Sequence, residues 1–227
     1  IIADARERGI ACRITGLDAA ACALLEKLYP GQFYMHSDRS SFDYVYAIDD
    51  LAALAGKRYH RKRNHLKRFW EAHPNASVLP LDEKNLPRAK QMVAQWFEKR
   101  LAEDPDADLR MEQIALARAF AHYDELCMDG LLLCDGDEVL AVTMGSFLSE
   151  DTMDVHFEKG APDVAGAYVA INCAFARYVR QNYPAVRFLN REEDMGIEGL
   201  RRAKQSYRPH HMVRKCWACL LEDGYDY

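Results

Sequence analysis

Between Leu131 and Glu158 the hydrophobic pattern runs with a period of two, and this block constrains the fold more than any other part of the chain. Leu131-Leu132-Leu133-Cys134 and Val139-Leu140-Ala141-Val142-Thr143-Met144 flank Asp135-Gly136-Asp137, a turn triplet between two apolar runs, so a hairpin is predicted. Ser149-Glu150-Asp151 makes a second turn into Thr152-Met153-Asp154-Val155-His156-Phe157-Glu158. Strand alternation puts Met153, Val155 and Phe157 on one face and Asp154, His156 and Glu158 on the other. Helices are predicted ahead of this block, near 86–102 and 111–127, with a polar loop from Asp104 to Asp108. After it come a helix from Ala167 to Asn182, a strand Val186–Asn190, a helix Ile197–Tyr207 and a strand Met212–Leu221. The order is helix, helix, three antiparallel strands, helix, strand, helix, strand, an α/β (α+β) arrangement.

The first third is built differently. Asp18 is a plausible N-cap for a helix over 18–28, which Tyr29-Pro30-Gly31 stops. Phe42-Asp43-Tyr44-Val45-Tyr46 alternates like a short strand. Asp49-Asp50 then opens a helix expected to run to about Glu71 and to end before Pro74. His73-Pro74-Asn75 reads as a junction, followed by the strand Val78-Leu79-Pro80-Leu81.

That helix carries Lys57-Arg58-Tyr59-His60-Arg61-Lys62-Arg63-Asn64-His65-Leu66-Lys67-Arg68, with seven Lys or Arg in twelve residues and no acid, in a chain of formal charge -5. Concentrated cationic charge on one element attracts anions whatever the net charge, so a phosphate-bearing partner is expected. At 100° per residue, Arg58, Lys62 and His65 fall in the same arc as Leu51, Leu54, Leu66 and Phe69. They, with Arg61, are the candidate anion-binding residues. The competing reading is a surface helix whose long side chains snorkel outward; Lys57, Arg63 and Lys67 are read as plain surface charge.

With 227 residues, 49% hydrophobic and 29% charged, the chain suffices for one large domain or two small ones. No apolar run approaches the roughly 18 residues of a membrane span, and no signal peptide is visible. A start on Ile1-Ile2 is read as an N-terminal portion that is processed, disordered or cut away. Seven cysteines, mostly in apolar contexts, fit reduced thiols in a cytoplasmic protein. Cys216-Trp217-Ala218-Cys219 is a lone CxxC in a strand, where residues three apart face opposite ways, so no metal site is expected from it.

The element order resembles the GNAT acyltransferase fold, a mixed, mostly antiparallel sheet flanked by helices. Three local sequences narrow the resemblance: Val155-His156-Phe157-Glu158-Lys159; Gly166-Ala167-Tyr168-Val169-Ala170-Ile171-Asn172; and Asn190-Arg191-Glu192-Glu193-Asp194-Met195-Gly196 through Lys204-Gln205-Ser206-Tyr207. Together with the basic segment Ala55-Gly56-Lys57 to Phe69, they resemble the bacterial family related to the C-terminal domain of phosphatidylglycerol lysyltransferase, akin to the Fem aminoacyltransferases. The resemblance spans roughly 40–215. It implies tandem GNAT-like lobes, with the first incomplete: 1–75 a remnant including the basic helix, and 76–227 the second lobe. It also implies aminoacyl or acyl transfer to an amine or hydroxyl acceptor, with aminoacyl-tRNA or acyl-CoA as donor. Partners would be tRNA or another phosphate-bearing ligand, with peripheral contact to anionic lipid; no metal is implied.

Acyl transfer asks an enzyme for positioning, oxyanion stabilisation and a base for the acceptor proton. Glu158 and His156, on the polar strand face, are the candidate bases; the bland alternative is a face that meets solvent. Asn190, Arg191, Glu192 and Asp194 follow the C-terminal end of the next strand, where sites gather in α/β sheets, and are candidate substrate ligands with Asn172 and Tyr207. An acidic loop opening a helix would read the same way. Lys204 interrupts the apolar stripe of Ile197, Leu200 and Tyr207, so its ammonium either snorkels or meets an anion. Glu158, Asp194 and Lys204 are expected to line one pocket. In acetyl-CoA-dependent GNAT enzymes a loop before the central helix cradles pyrophosphate on backbone N–H groups. Here Asp163 adds an anion and Pro162 removes a donor, which argues against standard acetyl-CoA use. A second class remains open: a non-catalytic binding protein for an anionic lipid headgroup, nucleotide or RNA.

Overall fold

Residues 1–105 and 108–221 are described by the structure, a computed structural model. Residues 106 and 107 of the expected polar loop, and 222–227, lie outside them. The chain partitions into two compact units, Ile1–Val45 with Glu192–Tyr227, and Tyr46–Arg191. The cuts fall at 45/46 and 191/192. The basic segment packs on elements that follow it, and Cys216–Leu220 pairs with strands near the chain's beginning.

The first unit contains α1 (Ile2–Arg8), β1 (Arg13–Leu17), α2 (Ala19–Leu28), β2 (Phe33–His36) and most of β3 (Asp43–Ala47). Asp18 caps α2 as expected, its carboxylate accepting from the Ala21 N–H at 2.7 Å. The C-terminal strand expected over Met212–Leu221 is two strands in different ladders. His211–Val213 pairs antiparallel with β3, whereas Cys216–Leu220 lies antiparallel between β1 and β2. Ala5, Cys12, Leu25, Phe33, Ala218 and Leu220 form a small core there. The strands β1 and β2 were not legible in the sequence, because half-exposed strands of four or five residues show too few alternations.

The second unit holds α3 (Ile48–Ala53), α4 (His60–Ala72), β4 (Ala76–Pro80), α5 (Leu86–Glu103) and α6 (Arg110–Ala121). It continues with β5 (Asp129–Asp135), β6 (Glu138–Phe147), β7 (Thr152–Gly160), α7 (Ala167–Asn182) and β8 (Phe188–Asn190). In chain order the remaining elements of the first unit are then α8 (Glu198–Gln205), β9 (His211–Val213) and β10 (Cys216–Leu220). Strands β4 to β7 pair antiparallel in succession, and β8 pairs parallel to β7. One sheet face, with Leu132, Cys134, Val142 and Met144, packs on Met92, Val93 and Phe97 of α5 and Leu116 and Phe120 of α6. The other face packs on α7, which buries Ala170, Ile171, Cys173 and Phe175.

The basic helix is not continuous. It breaks into α3, a short 3-10 turn over Lys57–Tyr59, and α4. Leu54 (φ 49) and Gly56 (φ 81) are left-handed, which ends α3. The carbonyls exposed by the break are met by arginines: Arg63 donates to Leu54 O (2.5 Å) and Gly56 O (2.6 Å), and Arg177 to Ala52 O (2.9 Å). Arg63, read from sequence as surface charge, is therefore a structural clamp. The break also removes the shared arc. Arg58 is exposed and pairs with Asp50 at 2.5 Å, Arg61 and His65 are exposed, and Lys62 is half-buried.

Gly166 precedes α7 at φ +89, and a Cβ there would lie 3.0 Å from both the His65 carbonyl oxygen and the Phe69 Cβ. This close approach sets α4 against the start of α7. Gly166→Ala combines left-handed strain with a backbone clash, so it is expected to lower unfolding free energy by about 1–3 kcal/mol. Chemical denaturation checks this; an unchanged midpoint would show that α4 and α7 separate at little cost.

Candidate active site

The parallel ladder between β7 and β8 is short. It pairs Thr152 with Phe188, Met153 with Leu189 and Asp154 with Asn190, and β8 ends there. β7 runs on from Val155 to Gly160 beyond it. Side chains on this second half of β7 that face α7 therefore have room for polar partners.

Glu158 is the centre of this region. One of its oxygens accepts from Arg191 Nη2 at 2.7 Å and the other from Asn172 Nδ2 at 3.1 Å. The two charged side chains are 9% and 13% exposed, so this is a nearly buried ion pair. Arg191 follows directly on β8, its guanidinium 5.7 Å from the Tyr46 ring centroid. Asn172 comes from the second turn of α7 and is buried. Lys62 approaches from α4. Burial, then repulsion by Arg191, lowers its pKa to about 8, against a weaker opposing pull from Glu158. Two cations around one carboxylate leave the group with an excess positive charge, a setting suited to an anion or a developing oxyanion.

Thr143 belongs to the same group, and sequence reasoning missed it. It stands opposite Glu158 in the β6–β7 register and is fully buried. Among the described residues, its hydroxyl and the side-chain oxygen of Asn172 are buried without a hydrogen-bond partner. Only the register reveals Thr143, and a bulge between Met144 and Gly145 shifts that register. The bulge also separates His156 from Glu158. His156 shares a 2.8 Å hydrogen bond with Ser146 Oγ and lies 3.8 Å from Asp154. Asn190, at the end of β8, is buried.

Asp194, Glu192, Lys204 and Tyr207 belong to the other unit. There they organise the loop that leads into α8. Asp194 is wholly buried and accepts from Arg201 Nε (2.8 Å) and Nη2 (2.9 Å), Tyr44 Oη (2.6 Å) and Gly196 N (3.0 Å). The Arg201 hydrogen bonds, with those of Tyr44 and Gly196, hold its carboxyl well below the usual carboxylate range. Burial and the neighbouring Asp194 push the Tyr44 phenol up. The Lys204 ammonium donates to the carbonyls of Glu193 (2.6 Å) and Glu192 (3.1 Å). It thus caps backbone oxygens of the loop, which satisfies a buried cation in the apolar stripe. Tyr207 is buried.

Asp163, in the loop before α7, pairs with Lys99 at 2.5 Å. Among the described residues, no helix is long and apolar enough to cross a membrane.

The family model described as phosphatidylglycerol lysyltransferase, C-terminal, matches residues 1–219. The chain is 34% identical to a conserved protein of unknown function from Bacteroides thetaiotaomicron VPI-5482. That alignment covers 96% of this chain and 73% of the other, with a TM-score of 0.86. It is also similar to the L-PGS structure from Bacillus licheniformis, at 12% identity and a TM-score of 0.69 over 96% of this chain and 70% of that one. A curated relative, the uncharacterized protein MYCGA3080 of Mycoplasmoides gallisepticum, is 23% identical over 78% of this chain. The chain spans about half the length of that relative, 55% of it. The strand and helix order, mostly antiparallel with helices on both faces, is that of GNAT acyltransferases.

Proposed function

This chain belongs to the phosphatidylglycerol lysyltransferase C-terminal family, and from that premise we propose that it transfers an aminoacyl group from an aminoacyl-tRNA to an amine or hydroxyl acceptor. The observation that carries this reading is the buried Glu158–Arg191–Asn172 constellation on the free half of β7, with Lys62 beside it. The acceptor's N or O attacks the ester carbonyl carbon. Glu158 takes the acceptor proton. Lys62 and Arg191 stabilise the oxygen that becomes negative. The tetrahedral intermediate then collapses, the ester C–O bond breaks, and Glu158 returns its proton to the departing tRNA hydroxyl. Asn172 holds the Glu158 carboxylate in place. Asp194, Lys204 and Arg201 shape the loop after Arg191. His156 and Asn190 border the end of β8, and Arg58, Arg61 and His65 supply the outer field that attracts phosphate.

Acyl-CoA is the second donor in this reading, disfavoured by Pro162 and by Asp163 in the loop before α7. A bacterial cytoplasm, where aminoacyl-tRNA is available, is the proposed compartment. A reading without catalysis, in which the cationic excess simply binds an anionic lipid headgroup, nucleotide or RNA, draws support from the ion pairing of Glu158. Transfer assays with aminoacyl-tRNA and acyl-CoA, run beside binding assays, separate the two: binding with no turnover on any acceptor supports the second.

Lys62 gives a pH signature. As an ammonium holding the oxyanion, it makes transfer fall as pH rises through about 8. Stability moves the other way. The group binds fewer protons in the folded state between pH 8 and its ordinary value of 10.5, so its contribution rises with pH across that window. Lys62→Met is expected to remove the alkaline limb of the rate profile and leave a low, flat rate. A limb that persists in this variant would assign the titration to another group.

A further inference from the structure

The first unit contains a thiol pair that the family's chemistry does not use. Cys216 opens β10, opposite Leu17 of β1. Strand alternation puts it on the same face as Ala218 and Leu220, the face covered by Ala5 of α1 and Leu25 of α2. Asp18 follows Leu17 directly and caps α2, and the Cys22 N–H bonds back to the Asp18 carbonyl at 2.9 Å. The first turn of α2 is thereby fixed above the start of β10. Cys22 lies three residues before Leu25 and so on the same face of α2, the face that packs on Ala218 and Leu220 of β10, which sets its thiol beside that of Cys216. Both residues are half-buried, whereas Cys12 and Cys219 are buried. The CxxC motif singled out in the sequence is thus not a pair in itself; its first cysteine has its partner 194 positions earlier, in α2.

We propose that Cys22 and Cys216 form a reversible disulfide, a modification site that links α2 to β10. The co-reactant is a small-molecule disulfide such as oxidised glutathione. The Cys216 thiolate attacks one sulfur of that disulfide, breaking its S–S bond and releasing one thiol. The Cys22 thiolate then attacks the Cys216 sulfur and expels the second thiol. The two protein thiols lose two protons and two electrons, and the oxidant is reduced to two thiols. Cys216 is the first attacker because burial and the Cys216 contact raise the Cys22 thiol to about 11, which lowers its thiolate fraction.

The test equilibrates the native chain in oxidised glutathione and titrates free thiols after denaturation. Beyond one thiol for each bound glutathione counted by mass, as on the exposed Cys127, the seven thiols should fall by a further two with loss of two hydrogens, and all should recover on adding reductant. Tryptic mapping should join the peptide Ile14–Lys27 to the peptide beginning at Cys216. Because that second peptide also holds Cys219, the mapping is repeated in Cys219→Ser, where the link must persist. Cys22→Ser should instead retain one glutathione on Cys216, since the resolving thiol is gone. Seven free thiols in wild type with native circular dichroism, or a crosslink between other cysteines, would overturn the proposal without touching the transfer activity. The wild-type mapping needs no variant that must fold.

Discussion

Glu158→Gln should reduce transfer by roughly 10²–10⁴-fold, the range attached to a positioned general base. The amide keeps the volume and can still accept from Asn172, but it removes the negative charge and the proton acceptor. Arg191 is then left nearly buried without its carboxylate, so stability should fall too, by about 1–3 kcal/mol. The rate must therefore be measured per folded molecule, well below the melting transition. Turnover equal to wild type would remove Glu158 from the mechanism and leave the constellation as a structural pair. Loss of turnover with retained binding of the phosphate-bearing donor is the expected pattern, because Lys62 and Arg191 keep their charge.

Asp194→Ala is expected to cost about 3 kcal/mol of unfolding free energy, the lower end for breaking a buried pair. The carboxylate is fully buried, but Arg201 and Arg39 are 34% and 41% exposed, so water recovers part of their loss. The phenol of Tyr44 would lose its 2.6 Å acceptor as well. The pH dependence follows from the direction of the shift. The Asp194 carboxyl titrates below its unfolded value of 3.8, so its stabilisation is complete above that value and is lost as pH falls further. Wild type should lose stability on acidification below about pH 4, and Asp194→Ala should lose less over the same range. Urea melts at neutral and acid pH measure both; matching acid slopes in the two proteins would mean that Asp194 contributes no such linkage.

The β-block was legible because its strands are long, paired in sequence order and separated by strong turns. Residues 131–144 alternate around Gly136, and both sheet faces are covered, so period and turn chemistry agree. The resemblance located Glu158, Asn172 and Arg191 in the strings that carry it, but it said nothing of their mutual distances. The basic segment misled because a helical-wheel arc assumes an unbroken helix. Leu54 in a left-handed conformation is not a residue that announces a break, and the arginine that stabilises the break, Arg63, looks like every other cation nearby.

What the sequence by itself determined is the succession of elements from Leu86 to Asn190 and the chemical type of the residues at the end of β7 and after β8. These depend on local periodicity, turn residues and composition, which act over a few positions. Tertiary structure alone decided the rest. It set Lys62 beside Glu158 and Arg191, buried Asp194 among Tyr44 and Arg201, turned the Lys204 ammonium onto two carbonyls, and brought Cys22 to Cys216. Lys62 with Glu158, Tyr44 with Asp194 and Cys22 with Cys216 join groups far apart in the chain, and even the nearer pairs, Asp194 with Arg201 and Lys204 with the Glu193 carbonyl, close loops of 7 and 11 positions that no helix or strand period predicts. Whether a charge is a solvated ornament or a buried partner depends on which other charge or carbonyl the fold delivers to it, and no local pattern carries that information.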